Sequence, residues 1–432
     1  MKKKPFIKLL LIFIVFFISG LTSAHATNVC ENIGNGGRSL GMGGVDIGIA
    51  TDTSAMVSNP AGITTDTSAM VSNPAGITQV KGGRVDFGNG LFFPWVRFEN
   101  KDNAFDSSDH GREYEPFFFY LPEWGWVKHT SESPFSWGVG LFAVGGGGSG
   151  FQLKNQFFPE GKRVESKLAY IKLTPTVAYQ ISPKLSAGFA LNIYYSPLNI
   201  KGLFGPVYLV VDKADAWGGG YATGLLYQPT DKLKVGIAYT SESMLTDYET
   251  DKGYVQIAGQ AMQQYHAKVV DFQLPQKVGV GISYQFTPKL LVGLDAEWQD
   301  YSQAFRKIVI EMEGLPIPPA NLEWKDSYHF AIGAEYKITP RFNLRAGYAY
   351  TSKSVTPSEG AFPYIPSTTG DAHNLTAGLG YSWNNYLIDF GWSHHLDVAE
   401  KNEQSRIGAD YENSTLGFGD NLFVITISYL YN

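Results

Sequence analysis

Residues 290–299 alternate without a break. Leu290, Val292, Leu294, Ala296 and Trp298 form one set, and Leu291, Gly293, Asp295, Glu297 and Gln299 the other. Successive side chains on a strand point to opposite faces, so one face is wholly apolar and the other polar or bare. Phe342 to Tyr348 and Tyr386 to Trp392 repeat the device. A soluble sandwich also alternates, but it rarely sets Asp, Glu and Arg at mid-strand opposite an unbroken aliphatic and aromatic face, strand after strand. A barrel in a bilayer does so, because its apolar solvent lies outside and its lumen is wet. The pattern predicts an all-β, antiparallel transmembrane barrel.

Fourteen such strands are expected, at 83–98, 116–129, 135–145, 166–181, 185–200, 214–228, 233–247, 270–286, 290–308, 324–338, 342–354, 372–383, 386–399 and 418–431. An even number suits a bacterial single-chain barrel. The connections alternate in length. Short ones carry turn chemistry, as in Ser182-Pro183-Lys184, Thr287-Pro288-Lys289, Thr339-Pro340-Arg341 and Asn384-Asn385. Longer segments near 99–115, 146–165, 201–213, 248–269, 309–323, 355–371 and 400–417 read as extracellular loops. Trp298, Trp383 and Trp392 fall near strand ends on apolar faces, which suits an interfacial girdle as well as ordinary core packing.

The first 26 residues read as a secretory signal: Lys2, Lys3, Lys4 and Lys8, an apolar run from Leu9 to Ile18, and Ala24-His25-Ala26. That run is too short to span a bilayer, which takes about 20 apolar residues. Removing four lysines and no acid takes the formal charge from −6 to −10, which argues against a nucleic-acid partner. The single cysteine, Cys30, cannot form an internal disulfide. Thr27-Asn28-Val29 lacks the small residue that lipidation at Cys30 needs just before it. No P-loop, HExxH or metal-spaced Cys/His set appears, so neither an enzyme nor a metal or other cofactor is expected. His394 and His395 point to opposite faces of a strand and cannot easily share a metal.

The side of the strands predicted to face the lumen is rich in glycine, including Gly188, Gly236, Gly281, Gly333, Gly347, Gly378 and Gly391. Glycine inside a strand often marks close approach of another backbone, or else permits twist and bulges. Residues 27–80 do not alternate and precede the first strand. Within them Thr51 to Thr64 recurs unchanged as Thr65 to Thr78. A 14-residue tandem copy is too short a period for a solenoid, and one copy is surplus.

Gly37-Arg38-Ser39-Leu40-Gly41-Met42-Gly43-Gly44, then Asp52, Ser54-Ala55 and Asn59-Pro60-Ala61-Gly62, resembles the N-terminal hatch of the FadL-like outer-membrane transporters of long-chain fatty acids and hydrocarbons. Leu274-Pro275, Tyr301 to Phe305, and Arg345-Ala346-Gly347-Tyr348 are similar to other segments of that family. The doubled hatch block departs from it. The resemblance implies a signal over 1–26, a hatch over 27–80 inside the lumen, and a fourteen-stranded barrel over 81–432. The hatch motif is Asn59, Pro60, Ala61 and Gly62, or its copy Asn73, Pro74, Ala75 and Gly76. It further implies a monomer in the outer membrane, taking a hydrophobic small molecule from extracellular loops and releasing it sideways at a kinked third strand, where Gly138, Gly140 and Gly145 permit a bend.

Leu203, Phe204, Val207 and Leu209 in the loop after strand five are candidate groove residues. Ile257 and Met262 join them on an amphipathic helix expected near 255–262. Loop-on-loop packing is the competing explanation for this apolar surface. Arg345 faces the lumen and is a candidate for an anionic head group, or else pairs with a wall acid such as Glu335 or Glu297. A water-filled porin for small polar solutes, with selectivity set by the lumen charges, is the alternative to a hydrophobe transporter.

Overall fold

Alternation forces the strands, and closure removes their edges. The computed structural model is a closed barrel of fourteen antiparallel strands. It describes residues 31–49, 69–80, 82–100, 107–109, 118–129, 132–270, 272–322, 324–355, 370–402 and 411–431. The wall strands are β1 (Gly82–Asn100), β2 (Phe119–His129), β3 (Phe135–Asn155), β4 (Phe158–Ser182), β5 (Leu185–Phe204), β6 (Val207–Tyr227) and β7 (Leu233–Thr240). They continue as β8 (Lys277–Thr287), β9 (Leu290–Gln299), β10 (Ser327–Thr339), β11 (Phe342–Thr351), β12 (Ala372–Trp383), β13 (Tyr386–Asn402) and β14 (Ser414–Tyr431). Each expected strand has its counterpart. The ring shuts where β1 pairs with both β14 (Gly83 opposite Tyr431) and β2 (Arg84 opposite Val127). No terminal strand is then left open to lipid.

The faces are inside-out relative to a soluble protein. On β10, Tyr328, Phe330 and Ile332 are about half exposed, whereas Ser327, His329 and Glu335 are buried. Leaving such a residue half in water forfeits roughly 1 kcal/mol. Repeated around the girth, that exceeds the roughly 5–15 kcal/mol by which a domain is stable. The medium around the wall is therefore lipid. Turn chemistry closes one rim: the hydroxyls of Ser182, Thr287 and Thr339 accept the backbone N–H two residues on, at Lys184, Lys289 and Arg341. Asn384 takes a left-handed conformation at φ 51°.

The other rim departs from the sequence reading. Crossing a bilayer takes about 9–11 residues, yet β4 has 25 and β3 and β6 have 21 each. Much of 146–165 and 201–213, read as loops, is strand. The span 248–269 is a hairpin, Tyr248–Ile257 with Gln263–Val270, and not a helix near 255–262. Val255 lies opposite Gln263, and Gly259 at φ +78° makes the turn. This hairpin also pairs with β6, Val207 opposite Ile257, and with Lys307–Met312, Val269 opposite Ile310. Above the membrane no lipid imposes a polar–apolar alternation, so the period-two signal fades while the ladder continues.

Candidate functional site

Small residues and charges fill the lower lumen. Residues 31–49 and 69–80 are almost wholly buried there. Backbone meets backbone at the wall glycines. A Cβ on Gly236 would stand 1.9 Å from the Ile47 carbonyl oxygen, one on Gly188 2.3 Å from the Ala75 nitrogen, and one on Gly333 2.2 Å from the Met42 carbonyl oxygen. Asn73 explains the Asn-Pro-Ala-Gly block. Its Oδ1 accepts the Ala75 N–H at 3.1 Å, and its Nδ2 donates to the carbonyls of Ile47 (3.0 Å) and of Leu225 on β6 (3.2 Å). Pro74 begins the short 3-10 turn Pro74–Gln79, where its missing N–H costs nothing. Asn59, Pro60, Ala61 and Gly62 lie outside the described residues.

Charge holds the same contact. Arg38 donates to Glu335 at 3.2 Å. Arg345 Nε donates to Glu335 at 2.6 Å, and its Nη1 reaches Asp389 at 2.7 Å. Asp295 accepts the backbone N–H groups of Asp46 (2.7 Å) and Ile47 (2.8 Å). Arg345 is thus engaged with two wall acids, one of which also holds Arg38. Glu297 lies instead 3.9 Å from Lys277.

The ladder between two wall strands is interrupted. β2 pairs with β3 from His129–Ser136 up to Glu123–Phe142 and no further. Beyond that level Phe119 to Pro122 pair with β1 alone. β3 bulges against β4 between Ala143 and Gly145. Its exposed edge is satisfied from within: Asn32 N–H donates to the Val144 carbonyl (3.0 Å), Asn32 Nδ2 to that of Ala143 (2.6 Å), and Glu31 bridges to Gly145. Gly145 therefore sits at the irregularity. Gly138 and Gly140 stay in regular register with β4, and a Cβ on either would meet Met70.

An apolar cluster of buried side chains reaches this level and continues beyond it. Tyr248, Phe272, Tyr301, Phe305 and Trp324 are all buried in it. Phe305 stacks on Trp324 at 4.6 Å and 11°, and Phe272 meets Phe305 edge-on at 4.8 Å. Leu203 and Leu209 belong to the same apolar cluster, Phe204 packs at its margin, and Val207 is half-buried. Ile257 and Met262 stand apart at the hairpin tip, 45% and 46% exposed. The aromatic set went unread. Tyr301 and Phe305, four apart on one turn, were the available signal.

Lys172 is the second residue that the sequence reading missed. It is 3% exposed, lies opposite Phe142 at the last rung of the β2–β3 ladder, and its ammonium makes no hydrogen bond or close ion pair among the described residues, with the charges of Glu31 and Lys277 acting on it from further off. Lys277, by contrast, pairs with Glu31 at 2.9 Å. Nothing in the alternation distinguishes the two lysines, because their partners come from distant segments.

A family model described as "Outer membrane protein transport protein (OMPP1/FadL/TodX)" matches residues 15–431. Among solved structures, the toluene transporter TbuX of Ralstonia pickettii is similar at a TM-score of 0.70 and 22% identity, over 93% of this chain and 99% of that one. The toluene transporter TodX of P. putida gives 0.72 and 18%, over 93% and 99%. A Pseudomonas aeruginosa FadL homologue gives 0.71 and 17%, over 93% and 99%. In sequence, Outer membrane protein P1 of Haemophilus influenzae is 24% identical over 210 residues, 48% of this chain and 44% of that protein. A putative outer membrane protein of Neisseria meningitidis is 21% identical over 245 residues, 51% and 52%. The matched regions span about half the length of these relatives.

Proposed function

For a chain that belongs to the OMPP1/FadL/TodX family of outer-membrane transport proteins, we propose passive uptake of a hydrophobic compound: capture in the apolar cluster, then release sideways into the membrane at the interrupted ladder. The observation that carries this reading is one of position. The apolar cluster that holds Phe272, Tyr301, Phe305 and Trp324 also takes in Phe142 and Val144, where β2 and β3 part. In this reading residues 27–80 are the hatch that bars the axial route, and Asn32 is the latch on the β3 edge. Withdrawal of Asn32 frees two carbonyls and opens the gap.

The cargo class follows from Lys172. A buried ammonium without a partner is costly, and a carboxylate head group would relieve it while the alkyl tail stays among the rings. Long-chain fatty acids therefore fit better than neutral hydrocarbons. Support over a water-filled pore comes from the wall glycines, whose contacts with residues 31–49 and 69–80 leave no room for a side chain. Planar-bilayer recording together with uptake of a labelled fatty acid tests the reading. Small, intermittent conductance with saturable uptake is expected. A large, steady conductance without fatty-acid uptake would sink it.

A further inference from the structure

We infer that the outer wall of β4 and β5, above the membrane, binds the phosphates of outer-leaflet glycolipid head groups through Arg163, Lys167 and Lys201. All three cations converge on one carboxylate, Glu165. Arg163 contacts it, Lys167 lies at 3.5 Å and Lys201 at 3.4 Å. Glu165 is 3% exposed, while the three cations keep between a fifth and a third of their side-chain surface. The three cations crowd one acid, which holds them in place while each stays open on one side. Arg163 and a lysine can present a fork and a point charge to the same phosphate.

Position selects the ligand. Glu165 lies opposite Lys201, and Lys167 opposite Asn199. Their sequence neighbours Val164, Ser166 and Leu168 are wholly buried on the other face. Down β5 the Lys201 face continues through Tyr195 to Ile193, Leu191 and Phe189, each well exposed along the lipid-facing wall. Tyr195 packs on Trp217 at 4.9 Å, and Trp217 is 57% exposed, as an interfacial ring pair should be. Four to six residues of tilted strand place the cations roughly 10–15 Å above that pair. That is the height of phosphorylated sugars whose acyl chains lie against the wall below. Asp215 on β6 lies opposite Pro197 of β5, four residues below Lys201.

Rough lipopolysaccharide with an intact phosphorylated core, and the same material treated with phosphatase, serve as probes in native mass spectrometry of the detergent-purified protein. The phosphorylated form is expected to be retained about tenfold more than the dephosphorylated form, and about tenfold more than by R163Q/K167Q/K201Q. Inorganic phosphate at the lipid's concentration should not displace it. Equal retention of both lipids overturns the proposal, as does full displacement by inorganic phosphate, which would mark a site for any anion. The dephosphorylation arm uses the unaltered protein and so decides even where the triple variant fails to fold. Unchanged heat-dependent gel mobility shows that the variant did fold.

Discussion

Two parts of the interior are filled by opposite means. Below the level of Phe142 main chain lies against main chain, with Gly188, Gly236 and Gly333 as the points of contact and Arg38, Glu335, Arg345 and Asp389 as the fastening. Above it rings lie against rings. The lower filling tolerates no added atom and no lost charge. The upper one is held mainly by dispersion and burial, with the Tyr248 and Tyr411 hydroxyls bonded to Ser196 and to the Leu203 carbonyl, and an apolar cluster built that way can exchange one apolar neighbour for another. The difference separates the part that seals from the part that receives.

The sharpest way to break this comparison is Arg345→Gln. It leaves Asp389 and part of Glu335 without a counter-charge, at a cost of about 3–5 kcal/mol. Loss of the heat-sensitive gel band at a much lower temperature is expected, with equal loss of fatty-acid and hydrocarbon uptake. Selective loss of fatty-acid uptake with unchanged melting would return Arg345 to a cargo role. Gly188→Val adds atoms where a Cβ already lies 2.3 Å from the Ala75 nitrogen. It should destabilise by roughly 1–3 kcal/mol and raise ion conductance as the segment near Pro74 is displaced. A valine accepted there with no change in conductance would show the lower filling to be loose.

Lys172→Met tests the upper part. Melting should stay within about 1 kcal/mol of the parent or rise, because an unpartnered buried cation is replaced by an apolar side chain of similar length. Fatty-acid uptake should fall about tenfold, the scale of one charge-assisted contact, and uptake of a neutral hydrocarbon should hold. Equal effects on both cargoes would remove Lys172 from recognition.

The smallest effect is expected from deleting 14 residues of the tandem repeat. Removing 51–64 or 65–78 yields one and the same protein, since the copies are identical. Asn73 binds the Ile47 carbonyl across 26 residues, and deletion leaves 12. Shortening a connection that far changes the entropy of closing it by only about 0.7 kcal/mol. Melting and uptake should be nearly unaltered, and failure to fold would show that the extra copy bears structure.

The wall was legible because lipid enforces period two: Leu294 out and Asp295 in could be read from ten residues. The close approach to the wall glycines was legible for a related reason, since a bare position in a strand invites a neighbour. What sets the lower lumen's charges was not. Arg38 and Glu335 are 297 residues apart, and Arg345 alone could not announce which acid it meets. The hairpin of Tyr248–Ile257 and Gln263–Val270 was misread because Val255, Ala258 and Met262 mimic helical spacing, while the ladder partners that override it lie elsewhere in the chain. The aromatic cluster draws on residues 248, 272, 301, 305 and 324, spread over a strand end, a short helical turn and connecting segments that share no period.

Closure of the ring also dictates a temporal order. Gly37 N–H donates to Thr426 Oγ1 across 389 residues, and β1 finds its second neighbour only when β14 arrives. A segment that precedes every wall strand in the sequence thus has a residue of β14 among its partners. A fold dominated by such distant pairings assembles slowly. The Gly37–Thr426 contact can form only once β14 is in place beside β1. Insertion, sealing and the docking of residues 31–49 are then one cooperative step. A chain truncated before Thr426 should stall as an unsealed, protease-sensitive sheet rather than as a smaller barrel.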